Sequence, residues 1–209
     1  MKQKVFPSVM AKSQKELDHM LNNLHGVAKY VHLDIADGKF VHNNSLWFRF
    51  RLSKKFKYIA HLMLKEPQRW IQKHGKKVEF YIVQAEAVNI AKYIQKTKSV
   101  KKKVAFALNP ETRVGKIKNY LDEIDYVLIL TVHPGFYGKK YLRYPLKKIA
   151  EIKKVNSKIK VIVDGGMNQK TVRDAAKAGA DYLVSGSFIT KAEKPKERMR
   201  EMENGFSGK

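Results

Sequence analysis

Cysteine is absent from the 209 residues, which excludes disulfide scaffolds, thiolate-ligated zinc and thiol nucleophiles together. Histidine and carboxylate are left as the strong metal ligands. No apolar run approaches the length needed to cross a bilayer, and the opening MKQKVFP carries charge but no apolar leader core. The expectation is an unexported, cytoplasmic protein without a membrane partner. No Pro/Gly/Ser-rich linker or break in composition divides the chain, so one domain is expected over 1–209, with the charged tail from about 191 peripheral or partly disordered. Acidic residues are scarce, 19 Asp and Glu against 43 Lys and Arg, for a net charge of +24. The lysines form small clusters spread almost end to end (54–57, 76–77, 101–103, 139–140, 147–148 and 191–196) and no docking motif accompanies them. A nucleic-acid partner is therefore not expected; a long-range field that draws in phosphorylated anions and weakens with salt is.

β-rich runs alternate with amphipathic stretches. The predicted strands are 5–10, 30–34, 57–63, 78–83, 104–108, 126–132, 160–164 and 182–185. Between them, Leu17, Met20 and Leu21 recur at helical spacing, and Ser13 with Glu16 reads as a capping box. Helix starts are expected at Pro67, Asn168 and Thr171, and ends at Gly75 and Gly179. Strand–helix units in this number favour a closed (β/α)8 TIM barrel over an open doubly wound sheet. The open-sheet rival also lacks its glycine-rich nucleotide fingerprint.

His32 and Asp34 stand two apart in VHLD and project to the same side of an extended strand. His61 and Asp164 close two further apolar runs, KYIAH and IKVIVD, and a barrel brings such strand ends around one centre. Two imidazoles and two carboxylates suit one divalent ion of borderline character: zinc, iron, manganese or cobalt. Singly, a strand histidine is more often a hydrogen-bonded structural residue; the set makes the case. Asp37, before Gly38, reads as turn chemistry, and Asn109 with Pro110 as a structural strand end. Met63 is either core filling or an apolar wall.

Three glycine-bearing turns follow late strands: Pro134 to Gly138, Gly165 with Gly166, and Gly186 with Ser187. Glycine lets backbone N–H groups approach an anion, so this corner of a barrel is the expected phosphate site.

In order along the chain, FPSVM (6–10), HLDIADGKFV (32–41), HLM (61–63) with Pro67 and Trp70, ALNPET (107–112), TVHPGFYG (131–138), VDGGM (163–167) and AGAD (178–181), leading to Gly186 and Ser187, resemble the ribulose-phosphate 3-epimerase family. The resemblance implies a metal-dependent isomerase that interconverts D-ribulose 5-phosphate and D-xylulose 5-phosphate. It makes His32, Asp34, His61 and Asp164 the metal ligands, and Asp34 and Asp164 the acid/base pair acting at C3 of an enediolate. Ser8 and His61 would contact substrate, as would Gly135, Phe136, Tyr137 and Gly138 in one loop. Gly165, Gly166 and Met167, with Gly186 and Ser187, would complete the substrate and phosphate loops. The alternatives are a 3-epimerase of another ketose phosphate, such as a hexulose 6-phosphate, and a non-catalytic barrel that binds a phosphorylated ligand or nucleic acid.

Several positions depart from the family pattern. Ala36 and Leu130 stand where Met is common, Ser13 where Asp is, Gln84 where His is, and His42 where Pro is. The phosphate turn reads Gly135, Phe136, Tyr137, Gly138, Lys139 in place of Gly-Phe-Gly-Gly-Gln. None removes a proposed ligand, but Tyr137 adds bulk, Lys139 adds a cation and Ala36 opens space. Phe40, Leu46, Trp47 and Phe48 are expected to cover the barrel mouth or meet another subunit, and a homo-oligomer is expected.

Overall fold

The computed structural model describes residues 3–208. The chain builds β1 (Val5–Val9), β2 (Tyr30–Asp37), β3 (Asn44–Ser45), β4 (Lys57–Met63), β5 (Phe80–Gln84), β6 (Ala105–Leu108), β7 (Tyr126–Leu130), β8 (Lys160–Asp164) and β9 (Tyr182–Ser185). All but β3 are parallel and pair in the order β1-β2-β4-β5-β6-β7-β8-β9, with β9 returning to β1. That closure is the expected (β/α)8 barrel. Three of the predicted strands are reproduced to the residue: β4, β8 and β9. The second runs past Asp34 to Asp37, because Ala36 and Asp37 pair antiparallel with Ser45 and Asn44 of β3, a strand too short to leave a periodic signal.

The helices are α1 (Gln14–Asn23), α2 (Pro67–His74), α3 (Ile90–Ser99), α4 (Lys147–Val155), α5 (Val172–Lys177), α6 (Ser187–Thr190) and α7 (Pro195–Ser207). Ser13 caps α1 as expected, its hydroxyl accepting from Glu16 N at 3.2 Å, while the Glu16 carboxylate accepts from Lys12 N, one residue before the usual partner. Gly179 ends α5 with φ +89°, but Gly75 has φ −58° and leads straight into a 3-10 turn. Between β6 and β7 the crossover consists of 3-10 turns (Val114–Lys116 and Lys118–Glu123) in place of an α-helix.

The tail is a helix through Ser207, where charge alone suggested fraying. Met199 and Met202 are buried, and Gly205 lets the helix approach Val172 of α5 closely. A few apolar residues on one face thus dock a segment whose composition is otherwise polar.

Alternation along the strands splits the core in two. Outward residues such as Leu33, Ile35, Val127 and Val163 pack under the helices, and inward ones fill the barrel with Phe6, Ile59, Phe80, Ile82, Leu128 and Ile162. Phe80 stacks on Tyr126 with ring centroids 4.4 Å apart, sealing one end. Each fully buried branched side chain contributes about 1.5–3 kcal/mol. This apolar plug supplies the stability against which a layer of buried ionisable groups can be held at the other end.

Candidate metal centre

The polar layer follows from register. On β2, His32 and Asp34 are inward; Asp34 pairs with His61 of β4, and His32 with Ser8 of β1. Asp164 ends β8, opposite Leu130 and Val184. The barrel places β9 and β1 between the strands of the two aspartates, so the carboxylates enter the centre from different directions.

The four sequence-proposed ligands converge. One donor atom from each of His32, Asp34, His61 and Asp164 lies within 4.8 Å of all the others. His32 Nε2 and His61 Nδ1 are each 3.3 Å from Asp34 Oδ1, and 3.8 and 3.7 Å from Asp164 Oδ2. Donors held about 2.0–2.2 Å from one ion stand about 3–4 Å apart, which is the spacing found here. Both His32 nitrogens are buried without an aligned hydrogen-bond partner. Leaving such a group unsatisfied costs about 1–3 kcal/mol, and a cation between the four donors removes that cost for Nε2. The residues present therefore fit a divalent ion.

Without a cation, protons hold the cluster together. Burial pushes the Asp164 carboxyl up, and the neighbouring Asp34 charge adds to this, bringing it to about 7. Burial pushes Asp34 up as well, but the charge of His32 and a hydrogen bond from His61 outweigh it, so Asp34 lies well below the usual carboxylate range. For His32, burial is outweighed by the charge of Asp34 and the value rises; for His61 burial wins and it falls. The two aspartates thus differ in proton affinity although they share one site.

Above the cluster opens a cavity of about 470 Å3, and Ser8, Asp34, His61, Gly135, Phe136, Tyr137, Gly138, Asp164, Gly165, Gly166, Met167, Gly186 and Ser187 all line it. His32 lies beneath it, fully buried. The three glycine turns do meet at this rim. Gly165 has φ +109°, and a Cβ there would lie 3.0 Å from the backbone N of Val132, so the residue after Asp164 must lack a side chain. Thr131 Oγ1 fixes the same turn by donating to Gly165 O at 2.6 Å. At Gly186 a Cβ would run into the Tyr137 ring, whose hydroxyl donates to Ser8 O at 3.0 Å. Tyr137 is therefore pinned across the pocket between the first and last barrel strands.

Met63, left open by the sequence, is pocket wall: it clusters with Ala36 and Val41 and lines the cavity. Asp37 serves the turn as expected, accepting from Lys39 N and Phe40 N at 2.9 Å and from Lys65 N at 2.9 Å. Asn109 is likewise structural, its N–H donating to Glu86 at 3.0 Å and its carbonyl accepting from Lys148 at 2.7 Å. Of the aromatic segment, Leu46 is buried, Phe40 and Phe48 are half-buried and Trp47 is exposed. Among the described residues no helix is long and apolar enough to cross a membrane. Gln84, which in the sequence stands out only as a departure from the family pattern, is fully buried against His61. The signal was there in FYIVQ: Phe80, Ile82 and Gln84 alternate inward, ending a strand's apolar face on an amide.

A family model, the ribulose-phosphate 3 epimerase family, matches residues 4–190. A ribulose-phosphate 3-epimerase of Bacillus subtilis is 33% identical over 198 residues, covering 89% of this chain and 91% of its own. One of Methanocaldococcus jannaschii is 33% identical over 171 residues, covering 77% of this chain and 72% of its own. Among solved structures, 3-keto-L-gulonate-6-phosphate decarboxylase from Vibrio cholerae superposes with TM-score 0.71 at 10% identity, covering 100% of this chain and 99% of its own. That last likeness shows the fold alone.

Proposed function

The chain belongs to the ribulose-phosphate 3-epimerase family, and from that premise we propose that it is a metal-dependent enzyme interconverting D-ribulose 5-phosphate and D-xylulose 5-phosphate. The observation that carries the reading is the pair of buried carboxylates, Asp34 and Asp164, brought to one centre from separate strands beside two imidazoles.

His32, Asp34, His61 and Asp164 would hold the ion. When bound, it supplies Lewis-acid stabilisation of negative charge developing on the substrate oxygens, which a weakly acidic C–H next to a carbonyl requires. The protein's own residues supply the rest. One aspartate takes the proton from C3, leaving an enediolate, and the other returns a proton to C3 from the opposite face. The second aspartate thus starts the turnover protonated and ends it ionised while the first does the reverse; exchange of protons with solvent resets the pair, and the reverse reaction exchanges their roles. Met63, Leu130 and Val132 keep part of the pocket lining apolar, which limits water at the reacting carbon. Backbone N–H groups of the turns at Gly135 to Gly138, Gly165 to Met167 and Gly186 to Ser187 would receive the phosphate. The exposed faces of Trp47 and Phe136 support a homo-oligomer.

In deuterium oxide with zinc, manganese, iron or cobalt, D-ribulose 5-phosphate is expected to gain solvent deuterium at C3 as D-xylulose 5-phosphate forms. Absence of exchange with every one of these metals would falsify the reading. The pinned Tyr137 ring shortens the pocket, so Tyr137→Gly is expected to raise kcat/KM for a hexulose 6-phosphate with its carbonyl at C2 relative to the pentulose by about tenfold, the scale of a filled apolar subsite. An unchanged ratio of kcat/KM for the two sugars would show that Tyr137 does not set chain length.

A further inference from the structure

We propose that Gln84 is a positioning residue: by turning its amide it accepts the His61 Nε2 proton and so frees Nδ1 for a divalent cation. The inference rests on the metal-dependent reading above. His61 Nδ1 points into the cluster, 3.3 Å from Asp34 Oδ1 and 3.7 Å from Asp164 Oδ2. Its Nε2 is 2.9 Å from the Gln84 amide. An imidazole that gives the Nδ1 lone pair to a cation must keep its single proton on Nε2. That N–H is buried and needs an acceptor, and the side chain at bonding distance is Gln84.

As the side chains stand, Gln84 Nε2 faces His61 Nε2, an arrangement that places the ring proton on Nδ1, toward Asp34. Gln84 Oε1 is buried with no partner. Half a turn about the last side-chain bond exchanges amide nitrogen and oxygen in the same space. The amide then accepts from Nε2–H, and Nδ1 is free. Gln84 is fully buried, so no water competes for either arrangement. A glutamine serves both ring tautomers without adding charge beside Asp34 and Asp164. A carboxylate accepts from Nε2–H only, and an aliphatic side chain serves neither tautomer.

The test compares the unaltered protein with Gln84→Leu and Gln84→Glu. Zinc affinity is measured by competition with a chromophoric chelator, and His61 is observed by 15N–1H correlation spectra of histidine-labelled protein. Circular dichroism confirms folding of each variant. The zinc-loaded unaltered protein is expected to show His61 as the Nε2–H tautomer. Gln84→Leu is expected to bind zinc about 10–100-fold more weakly, the usual effect of removing a hydrogen bond behind a metal ligand. Gln84→Glu, which keeps an acceptor, is expected to restore most of the affinity and the same tautomer. Zinc affinity of Gln84→Leu within twofold of the unaltered protein, or an Nδ1–H signal from loaded His61, would overturn the inference alone. Failure of the unaltered protein to take up zinc would overturn the metal reading and this inference with it. The spectra of the unaltered protein decide the tautomer even where a variant does not fold.

Discussion

Asp164→Asn is expected to lower kcat for D-ribulose 5-phosphate by about 10⁴-fold, the upper range for loss of a positioned proton carrier, while the fold persists. The substitution keeps shape and a coordinating oxygen but removes the ability to hold a proton as a carboxyl group. It also removes one negative charge from the ligand set, so metal affinity falls. Without metal, stability should move the other way. Asp164 is a buried carboxyl pushed up to about 7 by burial and by the Asp34 charge, and the amide carries no such ionisation cost. The metal-free variant is therefore expected to melt at or above the temperature of the unaltered protein. Loss of turnover with retained melting temperature separates a chemical role from a structural one. Turnover within tenfold of the unaltered protein would remove Asp164 from the acid/base pair.

The ligand set was legible before the structure because strand periodicity is two and the barrel fixes where strand ends go. His32 and Asp34 needed only that rule. His61 and Asp164 needed in addition the inference of closure, which rested on counting strand–helix units. The glycine turns were also legible, because each follows a late strand; the structure adds that at Gly165 a side chain would strike Val132. What sequence did not give was anything depending on partners brought from far along the chain. β3 pairs over two residues only, below the length at which alternation can be seen. The docking of α7 rests on Met199, Met202 and the closeness of Gly205 to Val172, in a stretch whose charge dominates its composition. Tyr137 reads as added bulk in a loop, whereas its hydroxyl bond to Ser8 O ties the loop after β7 to the first strand. Gln84 illustrates the same limit: its identity was visible, but its facing of His61 Nε2 requires the register of β4 against β5.

Zinc added to the metal-free protein is expected to raise Tm by about 10 °C at pH 8 and by much less at pH 6. Ligand at about 1,000 times its Kd stabilises by about 4 kcal/mol, and for a chain of this size each kcal/mol is worth about 2–4 °C. The pH dependence follows from the protons that occupy the site. His32 is raised in the fold, so its contribution is complete below its ordinary value near 6.5 and is lost as pH rises through the raised one. Asp164, raised to about 7, contributes below its ordinary carboxylate range and loses that contribution by the time pH passes 7. His61 is lowered, so it acts in the opposite sense, but only below about 6.5, where the unfolded chain takes up its proton. Asp34, lowered, stays ionised throughout. Above pH 6.5 the surviving terms have one sign, and the metal-free protein should lose stability as pH increases. A cation competes with protons for the four donors, so binding it releases protons and strengthens with pH. The two trends diverge, and the gap between zinc-loaded and chelator-treated melting curves should widen from pH 6 to pH 8 in scanning fluorimetry. A gap that narrows over that range, or none at any pH, would mean that His32, Asp34, His61 and Asp164 are assembled around protons alone.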